Sequence, residues 1–279
     1  MTDCDRWTIE ELISRYELEP SLADIYVEGV LDKEIITNAL GRNNAMRAIY
    51  PIETVNIPTS LLLSHGLSEG NKQRVIVLAR ELSRVKEQCT YICFVDRDLD
   101  HWFGQLEKIS RLRWCRHCAI ELHFLSIEYL QDILLVTCKA RIADFSSFFE
   151  SIIETLSDLY AMRLADRKLA LCLRWITFER CLAINGSRIS LALDIYLERV
   201  LLKNGKSRMK AVFMKEMTSF RLRFEGDYRN HIHGHDFMNL LAWVVGHYRG
   251  LKIFASETAL QRLLVLLARS LPCICDDIN

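Results

Sequence analysis

The sequence predicts two domains: an α/β domain over residues 1–130, with a mostly parallel sheet flanked by helices, and an all-α domain over residues 131–279. Three observations carry this prediction. Short β-favouring apolar runs alternate with helical periodicity through the first 125 residues, as in layered α/β folds. Thr90-Tyr91-Ile92-Cys93-Phe94-Val95 is almost uninterruptedly apolar, which suits a strand covered on both faces in a parallel sheet. Beyond residue 126 the runs lengthen and keep only helical spacing.

In order along the chain, Asp24-Ile25-Tyr26-Val27 reads as the first strand, closed by Glu28-Gly29, with a helix over about 31–40. Residues 52–57 read as a second strand, stopped by Pro58. Val75, Leu78, Ala79, Leu82 and Val85 share one face of a helix over 71–86. Residues 90–95 form the third strand and 120–125 the fourth. Amphipathic helices are then expected over 126–137, 142–163, 165–183, 189–203, 208–222, 235–248 and 257–270, with Asn185-Gly186-Ser187 as the clearest break.

Lys+Arg and Asp+Glu number 36 each, which excludes a uniformly basic nucleic-acid coat. Yet residues 1–100 carry 11 basic and 17 acidic groups and the remainder 25 and 19, so the halves are suited to different work. Half of the residues are hydrophobic, enough for a substantial core. There is no run long enough to span a membrane and no signal-peptide pattern near Met1–Glu11, so a cytoplasmic location with reduced thiols is expected. Of the ten cysteines, Cys89, Cys93, Cys138, Cys172 and Cys181 sit in apolar runs and read as core residues.

Two acidic clusters lie where strands end. Glu28 follows the first strand, and Asp96, Asp98 and Asp100 follow the third. Ligands of open α/β sheets bind at the carboxyl ends of strands. Carboxylates converging there repel one another unless a cation neutralises them. An oxygen-ligated ion such as Mg²⁺ or Mn²⁺ suits that set and also binds phosphates. The plainer role of an acid after a strand is to cap the next helix, which Asp98 or Asp100 would equally serve.

Ile25-Tyr26-Val27-Glu28-Gly29 and Phe94-Val95-Asp96-Arg97-Asp98 resemble the two signature motifs of the Toprim fold, found in topoisomerases, primases and nucleases of the overcoming-lysogenisation-defect type. The likeness to the latter extends to Asp32, four residues after Glu28, to Ser126-Ile127-Glu128, and to Gly70-Asn71-Lys72. It covers about residues 22–130 and is similar above all to stand-alone Toprim effectors paired with an ATPase, as in PARIS phage-defence systems. The resemblance implies metal-dependent phosphodiester cleavage. Asp96 and Asp98 would hold Mg²⁺ (or Mn²⁺), and Glu28 would act as a general base or further ligand. Asp32 and Glu128 would serve a second ion, and Lys72 would offset phosphate charge. It also implies a toxic anti-phage effector held silent by a partner ATPase subunit. Once released, the effector would dimerise and cut nucleic acid, with host RNA such as tRNA favoured over DNA. A catalytically degenerate Toprim scaffold or regulatory subunit is the alternative from another class.

Residues 199–229 carry nine basic groups against three acids, interleaved with Phe213, Phe220, Phe224 and Tyr228, a pattern that suits either nucleic-acid contact or a solvated helix face. Arg229 and His235, with five residues between them, resemble the Arg-x(4–6)-His motif of metal-independent HEPN ribonucleases; a His-rich loop between helices is the plainer reading. The pair Cys115 and Cys118 lacks the further ligands of a structural zinc site, and His231, His233 and His235 lack a fourth. Neither a phosphate-binding Gly-x-x-x-x-Gly-Lys loop nor a Gly-x-Gly-x-x-Gly motif is present, so ATP binding would fall to a separate subunit.

Overall fold

The computed structural model describes residues 6–41, 47–85, 88–271 and 273–278. The chain divides into two compact units, residues 1–116 with 264–279, and residues 117–263. The first break therefore precedes the expected boundary at 130, and the last residues belong with the α/β unit rather than with the helical one.

The first unit begins with α1 (Ile9–Leu18), which the hydrophobic pattern alone did not announce. Its start is set by a capping box: Thr8 Oγ1 accepts from the Glu11 amide, and the Glu11 carboxylate accepts from the Thr8 amide. β1 (Ile25–Val27) is buried along its length and leads through Glu28-Gly29 into α2 (Val30–Leu40), as the sequence predicts. β2 (Ile49–Pro51) lies just before the expected strand. Residues 52–54 form a 3-10 turn, and Val55 makes only an isolated bridge to Trp7. Ile52, Val55 and Ile57 are all buried, so their spacing reported burial without strand pairing. A short α3 (Thr59–Ser64) and then α4 (Asn71–Leu82) follow. The expected helix to residue 86 stops at Leu82, and Lys86 lies outside the described residues.

β3 (Ile92–Val95) is the central strand that the sequence predicts. The fourth strand is β4 (Leu112–Trp114), and residues 120–124, expected to be that strand, are a 3-10 helix in the second unit. β4 is three residues long with an arginine at its centre, too short to leave a hydrophobic signature. The sheet order is β2-β1-β3-β4, and every pairing is parallel. Residues of α1, α4 and the sheet share one core around Tyr16, Tyr26, Val75 and Leu78. The C-terminal segment joins this unit through the helix Cys273–Ile278, whose Asp277 accepts from the Arg116 amide at 2.9 Å.

The second unit is mainly helical. α5 (Ile127–Gln131) runs into a π-helical turn at Asp132–Thr137. α6 (Phe145–Leu169) replaces the first of the two helices expected over 142–183 and the opening residues of the second. It stops because Ala170 takes a left-handed conformation (φ +49°) and closes the last turn onto Arg167. The hairpin β5 (Leu182–Asn185) and β6 (Arg188–Leu191) corrects the expectation of helix at those positions. Asn185-Gly186-Ser187, read as a break, is its turn, with Gly186 at φ +63°. The Ile189 amide donates to Ser151 Oγ of α6 at 2.9 Å, fixing the hairpin to that helix. α7 (Leu193–Lys203), α8 (Lys210–Arg221), α9 (Gly234–His247) and α10 (Glu257–Leu267) follow near their expected places, the residues of α10 from 264 onward belonging to the first unit. Among the described residues no helix is long and apolar enough to cross a membrane.

Candidate metal centre at the carboxyl edge of the parallel sheet

β1 and β3 are adjacent and parallel, so their carboxyl ends reach the same edge. Glu28 leaves β1 there and Asp96 leaves β3. The Asp96 amide donates to Glu28 Oε1 at 2.9 Å, holding the two ends together. Two residues on, Asp98 takes a left-handed backbone conformation (φ +43°), which aspartate tolerates better than most side chains.

α4 supplies the counter-charge. Lys72, in its first turn, is buried, and its Nζ lies 2.5 Å from Asp98 Oδ2 and 2.9 Å from Asp100 Oδ2. Next to it, Asn71 Nδ2 donates to the Glu28 carbonyl at 2.9 Å, so one helix turn touches both acidic segments. Asp32 sits at the third position of α2, where its Oδ2 accepts from the Gly29 amide at 2.9 Å and closes the helix start. This is the ordinary capping role of an acid in a first turn.

The electrostatics match the crowding. Burial, then the neighbouring charge of Asp98, push the Glu28 carboxyl up to about 8, against the opposing effect of Lys72; Asp32 adds to the rise. Burial likewise raises Asp32 to about 6, opposed by the Gly29 amide and assisted by Asp98. Burial works against the charged form of Lys72, but Asp98, Asp100 and Glu28 outweigh it and hold the ammonium firmly protonated. The donor set is all oxygen, with more negative than positive charge, and therefore fits a hard divalent cation. Lys72 occupies part of that role itself.

Of the residues singled out in the sequence, Glu28, Asp32, Lys72, Asp96 and Asp98 all belong to the first unit, and the contacts above join them. Glu128 belongs to the second unit, in the exposed first turn of α5. Its carboxyl is held below the usual range by its own amide and by Ser126. Ser126 is the N-cap of that helix, its Oγ accepting from the Tyr129 amide at 3.3 Å. Asp100 and Asn71 were not assigned site roles from the sequence. The signal for Asn71 was the Gly-Asn-Lys start of a helix after a loop; that for Asp100 was only its place in an acidic run.

Elsewhere the expected motifs are absorbed into packing. Phe213 and Phe220 are buried, not exposed for base stacking, and Phe224 stacks on the His231 ring at 4.6 Å. Lys210 and Arg221 are paired with Glu198 and Asp158. Lys203, Lys206, Arg208 and Lys215 remain exposed. Arg229 is gripped by both oxygens of Asp227, at 2.7 and 3.0 Å, and His235 Nδ1 lies 3.3 Å from Glu257. Cys115 and Cys118 are buried thiols, whereas Cys172, expected in the core, is exposed.

No protein-family model and no curated protein sequence matches the chain.

Proposed function

We propose that this chain is a metal-dependent phosphodiesterase of the Toprim type, acting on nucleic acid with Mg²⁺ or Mn²⁺. The observation that carries the reading is the convergence of Glu28 and the Asp96/Asp98 segment from adjacent parallel strands. They meet through a 2.9 Å hydrogen bond, in surroundings that raise the Glu28 carboxyl to about 8. Such a cluster is stabilised by a divalent ion. Asp96 and Asp98 would hold the ion with Glu28, and Asp32 would contribute charge from the α2 start. The ion, when bound, supplies a Lewis acid for the phosphate and a more acidic water. Glu28, half-buried and above its ordinary range, is suited to take a proton near neutral pH. Lys72 orients Asp98 and Asp100 and limits repulsion within the cluster. Glu128 is carried by the other unit, and its second-ion role rests on the sequence resemblance alone. Exposed Lys203, Lys206, Arg208 and Lys215 favour a polyanionic substrate.

The biological setting follows from the sequence resemblance alone. In this reading the chain is the toxic effector of an anti-phage defence system, held by a partner ATPase, active as a homodimer in the cytoplasm, and directed at host RNA such as tRNA.

One observation favours the second reading, a catalytically degenerate scaffold or regulatory subunit: Lys72 pairs with both Asp98 and Asp100 and offsets part of their charge. The HEPN-like reading gains no such support, because Arg229 is engaged by Asp227 and His235 meets Glu257.

The decisive experiment expresses wild type and Glu28→Ala in bacteria and compares growth and total RNA. Growth arrest with discrete RNA fragments in the wild type alone supports the nuclease. Identical behaviour of the two variants supports the scaffold. Cleavage that survives EDTA would transfer the activity to Arg229 and His235.

A further inference from the structure

Beside the carboxylate cluster lies a separate open cavity of about 570 Å³ in the same unit, at the carboxyl ends of β1 and β2. Asn71 forms the shared wall: it lines the cavity, and its amide reaches the Glu28 carbonyl. Asn71 and Arg74 are three residues apart on α4 and so share a face, and both line the cavity, while the intervening Lys72 reaches the carboxylates. The first turn of α4 thus serves two adjoining spaces.

The charged groups around this cavity are Arg6, Glu53, Glu69 and Arg74. Both acids already accept hydrogen bonds: Glu69 from Thr59 Oγ1 at 3.0 Å, and Glu53 from Asn71 at 3.5 Å, the limit of such a bond. The Arg74 side chain has no hydrogen bond or ion pair among the described residues, although it is only partly exposed. A guanidinium fork matches the paired oxygens of a phosphate, and its charge never titrates. The carboxylate cluster itself offers a polyanion little: its lysine is engaged with Asp98 and Asp100. A strand brought to the cluster needs a cation at the next step along its backbone.

We propose that this cavity holds a backbone phosphate of the nucleic-acid strand, bound by Arg74, next to the phosphate presented to the carboxylates. The inference rests on the nuclease reading and names where the substrate lies. Arg74 is here a positioning residue.

The test measures binding of a labelled single-stranded RNA to the full chain in a Glu28→Gln background with Mg²⁺, across a salt series. Adding Arg74→Ala is expected to weaken binding about tenfold and to lower the salt slope by about one. Arg74→Lys should keep the slope, because the charge stays. Arg74 makes no hydrogen bond or ion pair among the described residues, so urea midpoints should not move. Unchanged binding and slope in Arg74→Ala overturn the site. Displacement of the strand by inorganic phosphate at low concentration, with ionic strength matched, marks a free-anion site and also overturns it. Failure of the nuclease reading looks different: the Glu28-intact chain and Glu28→Gln would then treat RNA alike, both cutting it or neither, whatever Arg74 does. In the Glu28-intact chain, Arg74→Ala should raise KM with kcat little changed, the signature of lost substrate binding.

Discussion

The Asp96 amide donates to the Glu28 carboxylate at 2.9 Å, tying the exits of β1 and β3 together at the centre of the parallel sheet. The same oxygen that would serve chemistry is therefore also a structural acceptor. Glu28→Gln keeps an acceptor oxygen and should fold like the wild type while losing metal-dependent cleavage. Glu28→Ala leaves the Asp96 amide without that acceptor, a loss of about 1–3 kcal/mol. Urea denaturation alongside an RNA-cleavage assay separates the two effects, and equal stability of the variants would show that the hydrogen bond contributes nothing.

A pH dependence follows from the raised carboxyls. Glu28 and Asp32 bind protons more tightly in the folded chain, near 8 and 6, than in the unfolded one. Their contribution to stability is complete below about pH 4, their ordinary range, and is lost as pH climbs through those folded values. In EDTA the melting temperature should fall between pH 5 and about pH 8, with the slope reduced in Glu28→Gln. Excess Mg²⁺ should flatten the wild-type curve by replacing protons with an ion. A wild-type curve in EDTA that rises across this window would contradict the raised values.

Lys72 competes with any cation for Asp98 and Asp100. Lys72→Met should therefore tighten Mg²⁺ binding while destabilising the metal-free chain. Because Asp98 is 34 % exposed, the cost should be about 2 kcal/mol, below that of a fully buried pair. Titration calorimetry and thermal melts with and without Mg²⁺ measure both. Weaker Mg²⁺ binding in Lys72→Met would instead show that the lysine organises the acids for the ion.

In the helical unit, Arg163 grips Asp236 through two hydrogen bonds of 2.6 Å, with the Asp236 side chain only 3 % exposed. Asp236→Ala removes both of these charge-assisted hydrogen bonds from Arg163 and should cost about 3 kcal/mol. Its neighbour His235 is exposed, and His235→Ala should change neither stability nor RNA cleavage. Loss of cleavage in His235→Ala with its melting temperature unchanged would revive the Arg229/His235 reading.

Much of the α/β unit was legible because its signals are local. Ile25–Val27 and Ile92–Val95 are buried strands whose apolar runs and following acids stand next to one another in the sequence. The helices from α7 onward show their apolar stripes directly, since each stripe needs only its own turns. Signals that depend on partners were misread. Ile52, Val55 and Ile57 are buried without pairing as a strand, and Leu112–Trp114 pairs with β3 despite its central arginine. Residues 182–191 form a hairpin because two short strands meet each other and Ser151, which helical spacing does not report.

The sequence by itself determined which residues carry acid and base and that two acidic groups follow buried strands, because residue type and period are local properties. Tertiary structure alone decided that those strands are neighbours, that Lys72 lies between Asp98 and Asp100, and that Glu28 is raised toward neutrality. It also left Arg74 facing a cavity with no hydrogen bond or ion pair among the described residues. Each of these depends on distance and desolvation between residues far apart in the chain, and both are set by packing.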